Sequence, residues 1–87
     1  PFDTEEQVLT WANSSPVGLA AYVHTGDIDR ALRMAERLEV GMTGINSAAI
    51  SNPAAPFGGV KHSGLGREGG SEGIAEYLET IYVGIPV

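Results

Sequence analysis

The 87 residues contain no cysteine. That excludes a disulfide staple and a thiolate metal cluster. Histidine is scarce: His24 and His62 stand far apart and do not form a metal-ligand pair by themselves. Basic residues are few, five against eleven acids, and the net charge is −6. Such a balance repels nucleic-acid phosphates and anionic membrane surfaces, so neither is an expected partner. Its plainest consequence is solubility. No apolar run approaches the roughly 20 residues needed to cross a bilayer. The opening residues, Pro1 to Glu6, are acidic, unlike the basic start of a secretory signal. The expected location is cytoplasmic, consistent with the missing cysteines.

Size sets a further bound. A chain this short buries only roughly 60% of the surface that its unfolded form exposes, and small autonomous domains usually add a disulfide or a metal. Pro1-Phe2 resembles the end of an incoming strand. The expectation is a piece of a longer polypeptide.

What is present reads as α/β. Asp3 to Gln7 looks like a helix start, with Thr4 accepting from the backbone three residues on and Gln7 reaching back. Val8, Leu9 and Ala12 then share a face, and Pro16 disfavours helical geometry at Ser15. Leu19 to His24 is a short, nearly continuous apolar strand, expected to be buried on both faces. Thr25-Gly26-Asp27 is a turn that caps the next helix. From Asp27 to Glu39 the apolar residues Ile28, Ala31, Leu32, Ala35 and Leu38 keep helical spacing. Asp29 and Arg33 are placed for an i,i+4 pair, and Gly41 suits a left-handed residue past the helix end. Met42 to Asn46 is a second short strand. Strand, helix, strand in this order predicts parallel pairing, with further strands supplied from outside these residues.

Ser47 to Gly70 is rich in proline and glycine and predicts a long irregular loop of functional character. A short helix is expected from Glu68 to Leu78, interrupted by Gly70 and Gly73. Glu79 to Ile85 is rich in β-formers and reads as a terminal strand.

Gly64-Leu65-Gly66-Arg67-Glu68-Gly69 matches G-x-G-x-x-G. That pattern cradles a dinucleotide pyrophosphate only between a strand and a helix of a βαβ unit. Here it follows the loop, so its glycines are read as conformational. His24 and His62 are read as structural or surface residues. Ser51 is a nucleophile only in principle, since no G-x-S-x-G surrounds it. As a neutral donor it can instead hold a substrate carboxylate. Phe57 either fills a core pocket or lines a binding site. Lys61 and Arg67 are the only cations after residue 38, and ordinary surface or ion-pair roles are expected for them.

Ala55 to Gly69, A-P-F-G-G-V-K-H-S-G-L-G-R-E-G, closely resembles the P-F-G-G-x-K-x-S-G-x-G-R-E signature near the carboxy terminus of aldehyde dehydrogenases. Ala12-Asn13 with Gly18-Leu19-Ala20-Ala21, and Gly41-Met42-Thr43-Gly44-Ile45-Asn46, are similar to two further segments of that family in the same order. The resemblance covers essentially the whole chain. Ile50-Ser51-Asn52 and Glu76-Tyr77-Leu78-Glu79 most resemble the succinate-semialdehyde dehydrogenases.

The resemblance implies that residues 1–66 are the last part of a catalytic domain. It implies that residues 67–87 are a terminal helix and an oligomerisation strand, with a homo-oligomer built through 79–85. It further implies that Ser51 helps bind the distal carboxylate of the aldehyde, and that Phe57 lines the pocket beside the reacting carbon. The implied reaction oxidises succinate semialdehyde to succinate with NAD or NADP, through a cysteine thiohemiacetal and thioester. The cysteine, the glutamate base and most of the cofactor site would lie outside this chain, so no catalytic residue is assigned within it and the 87 residues alone are expected to be inactive. Two other readings stay open: another aldehyde dehydrogenase subfamily, or a non-catalytic interaction module.

Overall fold

A computed structural model describes residues 1–86. The elements run α1 (Glu5–Asn13), β1 (Val17–Gly18), β2 (Ala20–Val23), α2 (Ile28–Arg37), β3 (Met42–Ile45), β4 (Val60–Lys61) and α3 (Gly70–Ala75).

Thr4 caps α1 by accepting the Gln7 N–H at 3.1 Å. The Gln7 side chain reaches back to the Asp3 N–H at 2.8 Å, one residue further than a standard capping box. α1 ends at Asn13, ahead of Pro16. α2 is capped by Asp27, whose carboxylate accepts from Asp29 and Arg30 at 2.9 and 3.3 Å. It crosses between β2 and β3, which pair in parallel from Ala20↔Met42 to Val23↔Ile45. The strand-helix-strand reading therefore holds. β2 is only half-buried, however, because the described residues provide no second layer over its other face.

Two asparagines close this unit where periodicity gives no signal. Asn13 donates to the Arg37 carbonyl at 2.8 Å and accepts the Glu39 N–H at 2.9 Å, so it clasps the end of α2. Asn46, at φ 52°, donates to the Thr25 carbonyl and accepts the Thr25 N–H, each at 2.8 Å. That double bond carries the parallel ladder past its last strand residue. Each amide substitutes for a backbone unit, which needs a donor and an acceptor on one side chain.

Four expectations are corrected. Arg33 does not turn to Asp29; its guanidinium bonds Glu5 of α1 at 3.1 Å, which offers the better two-nitrogen geometry. Gly41 is not left-handed. A Cβ there would instead collide with the Gly58 carbonyl, so the position needs glycine for close backbone approach. The last helix starts at Gly70 rather than Glu68, because Glu68 is held extended by Phe57 and Gly69 sits at φ 77°, ψ 170°. Glu79 to Ile85 forms no strand among the described residues: it is exposed and has no neighbouring strand to bond.

Little is buried. Leu9, Ala31 and Met34 are the buried hydrophobic residues, while Trp11, Ile28, Leu32, Ile74 and Leu78 are each more than half exposed. The radius of gyration is 17.3 Å, against about 12 Å for a compact domain of this length. Leu9 of α1 and Ala31 and Met34 of α2 pack inward, while much of the remaining apolar surface of α1, α2 and α3 is presented outward, in the manner of one layer of a larger body. No helix among the described residues is long and apolar enough to cross a membrane.

Candidate functional site

The loop after β3 folds back on itself. Ala54 N–H bonds the Asn52 side chain at 2.9 Å and Ala55 N–H bonds the Asn52 carbonyl at 3.0 Å, which makes a tight turn behind Ser51. Gly70 N–H then bonds the Pro53 carbonyl at 3.0 Å. This turn rests directly on Gly69, where a Cβ would lie 2.9 Å from the carbonyls of both Pro53 and Ala55. Gly69 therefore has two reasons to be glycine, its positive φ and this contact.

Phe57 and Glu68 face each other as an antiparallel bridge, exchanging N–H···O bonds of 2.7 Å in both directions. The bridge fixes the backbone of Phe57 next to Gly69. Ser51, Asn52, Pro53, Phe57, Glu68 and Gly69 consequently line one open cleft of about 390 Å³. Ser51 and Phe57, singled out separately in the sequence, are thus brought to one cavity. Ser51 is exposed, and its hydroxyl has no hydrogen-bond partner among the described residues. Phe57 is 37% exposed. It fills no core pocket; it forms a partition, since a second hollow of about 330 Å³ lies on its other side against Leu19, Ser63, Arg67 and Glu76.

The rest of the glycine segment is bound into the scaffold. Arg67 Nη1 donates to the carbonyls of Gly59 and Gly66, both at 2.8 Å. Ser63 Oγ accepts the Gly18 N–H at 2.9 Å. Lys61 Nζ pairs with Glu39 at 2.7 Å and donates to the carbonyls of Asn13 and Ser15, neutralising the C-terminal end of α1. Surface or ion-pair roles were expected of both cations; Lys61 makes its ion pair, whereas Arg67 instead braces two carbonyls, one of them eight residues back in the loop. His24 and His62 do not approach the cleft.

The G-x-G-x-x-G run does not fit a dinucleotide pyrophosphate. The N–H groups of Gly64, Arg67, Glu68 and Gly70 already bond Lys61 O, Glu76 Oε1, Phe57 O and Pro53 O. Gly64, Gly66 and Gly69 have φ of 111°, 81° and 77°, and the helix that follows has only six residues. The glycines shape turns, as read from the sequence. Among the described residues the cleft by Ser51 also contains no cation, since Arg67 lies on the other side of Phe57.

A parallel β-α-β unit followed by a buttressed glycine loop marks the chain as part of an α/β architecture. The profile of the aldehyde dehydrogenase family matches residues 1–83, and the chain belongs to that family. It is 62% identical over 84 residues to a succinate-semialdehyde dehydrogenase of Paenarthrobacter nicotinovorans, covering 97% of this chain and 19% of that protein. It is 56% identical over 82 residues to a 3-sulfolactaldehyde dehydrogenase of Pseudomonas putida, covering 94% and 17%. The crystal structure of an aldehyde dehydrogenase from Brucella melitensis superimposes with a TM-score of 0.90 at 60% identity, covering 94% of this chain and 17% of that one. The chain spans about a fifth of the length of the curated relatives it matches.

Proposed function

We propose that these residues form one wall of the substrate tunnel in an NAD(P)-dependent oxidoreductase that oxidises succinate semialdehyde, or an aldehyde of similar shape with a distal anion, to the acid. The observation that carries the reading is the convergence of Ser51 and Phe57 on one cleft. A neutral hydroxyl with free donor capacity suits a carboxylate oxygen, and an aromatic edge beside it suits a short alkyl spacer. The two named relatives support the same substrate class: both act on aldehydes that carry an acid group at some distance, by their names.

Ser51 is the orienting donor and Phe57 the wall near the carbonyl. The covalent chemistry, attack by a cysteine thiolate and hydrolysis of the resulting thioester, belongs to polypeptide other than these residues, which contain no cysteine. The same holds for the NAD(P) site, given that the amides of Gly64, Arg67 and Glu68 in the glycine run are already bonded within the chain and the helix after it has only six residues, and for the cation that would balance the substrate's charge. On this reading residues 1–66 complete the catalytic domain. Residues 67–87 lead to an oligomerisation strand that gains its hydrogen bonds from a second subunit.

The test is Ser51→Ala in the full-length enzyme, assayed by NAD(P)H formation. Loss of a hydrogen bond to a charged group costs about 1.5–3 kcal/mol, so kcat/KM for succinate semialdehyde should fall by roughly one to two orders of magnitude. A neutral aldehyde of the same chain length should be unaffected. Equal losses on both substrates would refute the carboxylate role.

A further inference from the structure

The signature explains why Phe57 is present but not what keeps it in place. Its bridge partner Glu68 follows Arg67, and Arg67 is the knot of the segment. Its guanidinium fastens Gly59 and Gly66, while its own N–H donates to Glu76 Oε1 at 3.2 Å. Glu76 comes from just beyond α3 and also lies against the next turn residue: a Cβ built on Gly66 would be 3.1 Å from Oε2 and 3.4 Å from Oε1. Gly66, at φ 81°, has neither a side chain nor a preferred conformation to hold that turn in place. No other side chain of α3 or its cap reaches this loop through a hydrogen bond among the described residues. Glu76 also lines the hollow behind Phe57, on the face turned away from Ser51.

We propose that Glu76 is a positioning residue: its carboxylate clasps the Gly66-Arg67 turn and thereby sets, through the Phe57–Glu68 bridge, where the Phe57 ring stands in the aldehyde tunnel. The inference rests on the tunnel-wall reading above. Glu76 does not line the cleft by Ser51. It acts through two backbone links, Arg67 N–H to its carboxylate and Phe57 to Glu68. A carboxylate is not required for this, since an amide oxygen accepts the same N–H; a side chain long enough to reach is required.

The experiment uses the full-length enzyme with Glu76→Ala and Glu76→Gln, assayed on succinate semialdehyde and on butanal. A misplaced wall beside the reacting carbon harms orientation of either aldehyde. Glu76→Ala should therefore lower kcat about tenfold or more on both, with KM changed less. Glu76→Gln should retain most of the kcat and the parent melting temperature. This pattern differs from that of Ser51→Ala, which affects only the carboxylate-bearing substrate. A Glu76→Ala enzyme with unchanged kcat on both aldehydes would overturn the proposal. So would a Gln variant that loses as much kcat as the Ala variant, for then a clasping acceptor is not what matters. A parent enzyme that oxidises no aldehyde would instead overturn the functional reading itself, and melting temperatures of the two Glu76 variants would be irrelevant to it.

Discussion

Expressed as a separate polypeptide, residues 1–87 should not form a cooperative domain. The structure gives the size of the deficit. The chain exposes 6701 Å², whereas a folded monomer of this mass exposes about 4,900 Å². The excess, about 1,800 Å², is about twice the area that one partner contributes to a protein–protein interface of ordinary size. Its apolar part is visible residue by residue: Ile28 at 68%, Ile74 at 66%, Leu78 at 69%, Ile81 at 81% and Ile85 at 75% exposure. If about half of the excess is apolar, leaving it in water forgoes on the order of 20 kcal/mol. That exceeds the about 5–15 kcal/mol net stability of an ordinary domain. The decisive assays are urea unfolding followed by far-ultraviolet circular dichroism, and small-angle scattering. The expected results are a broad, non-cooperative urea curve, binding of a hydrophobic dye, and dimensions well above the compact value of about 12 Å. A sharp two-state transition with a compact radius, in a monomer, would refute the reasoning and favour a free-standing interaction module.

Two further outcomes follow from individual contacts. Gly59→Ala in the full-length enzyme places a Cβ 2.6 Å from Ser63 Cβ and 3.2 Å from the Gly18 carbonyl, so Ser63 must move off the Gly18 N–H; the combined overpacking and lost hydrogen bond should cost about 2–4 kcal/mol, read as a lower melting temperature. The pairing of α1 with α2 should weaken in acid and in salt: hydrogen bonds from Arg33 to Glu5, and from Arg37 to Glu6, hold both carboxyls below the usual range. A depressed carboxylate pKa contributes stability that is complete above the unfolded value and is lost as pH falls through the folded one, so the loss should set in as pH reaches the ordinary glutamate value and be complete only below it. Fluorescence of Trp11, on α1, reports it; a loss already complete at neutral pH would contradict these contacts.

Much of the architecture was legible because it is written in local terms. The capping residues Thr4 and Asp27, the helical spacing from Ile28 to Leu38 and the proline at 16 each act within a turn or two of chain, and the structure shows α1 and α2 where those signals place them. Parallel pairing of β2 with β3 followed from connectivity alone. The glycine signature named the family because its residues are individually constrained: a Cβ on Gly58 or Gly59 would collide with its neighbours, and Gly66 sits at φ 81°. Composition and spacing treat Ser51 and Phe57 separately and only the resemblance implies a shared substrate; the fold supplies the means, a turn at Asn52 and a bridge to Glu68 that bring them to one cleft.

The features that only tertiary structure decided involve contacts with no sequence period. Arg33 chooses Glu5, 28 residues away, over Asp29 on its own helix. Lys61 caps a helix that ends 48 residues earlier, and Glu76 clasps a turn nine residues back. Glu79 to Ile85 shows the converse: the residues favour a strand, yet none forms, because a strand's backbone groups need a neighbour and nothing among the described residues supplies one. Sequence by itself determined which conformations each segment prefers and the family it comes from. Which distant polar groups meet, and which preferences remain unmet, depended on what lies alongside in space, since hydrogen bonds and burial are properties of neighbours rather than of the residue alone.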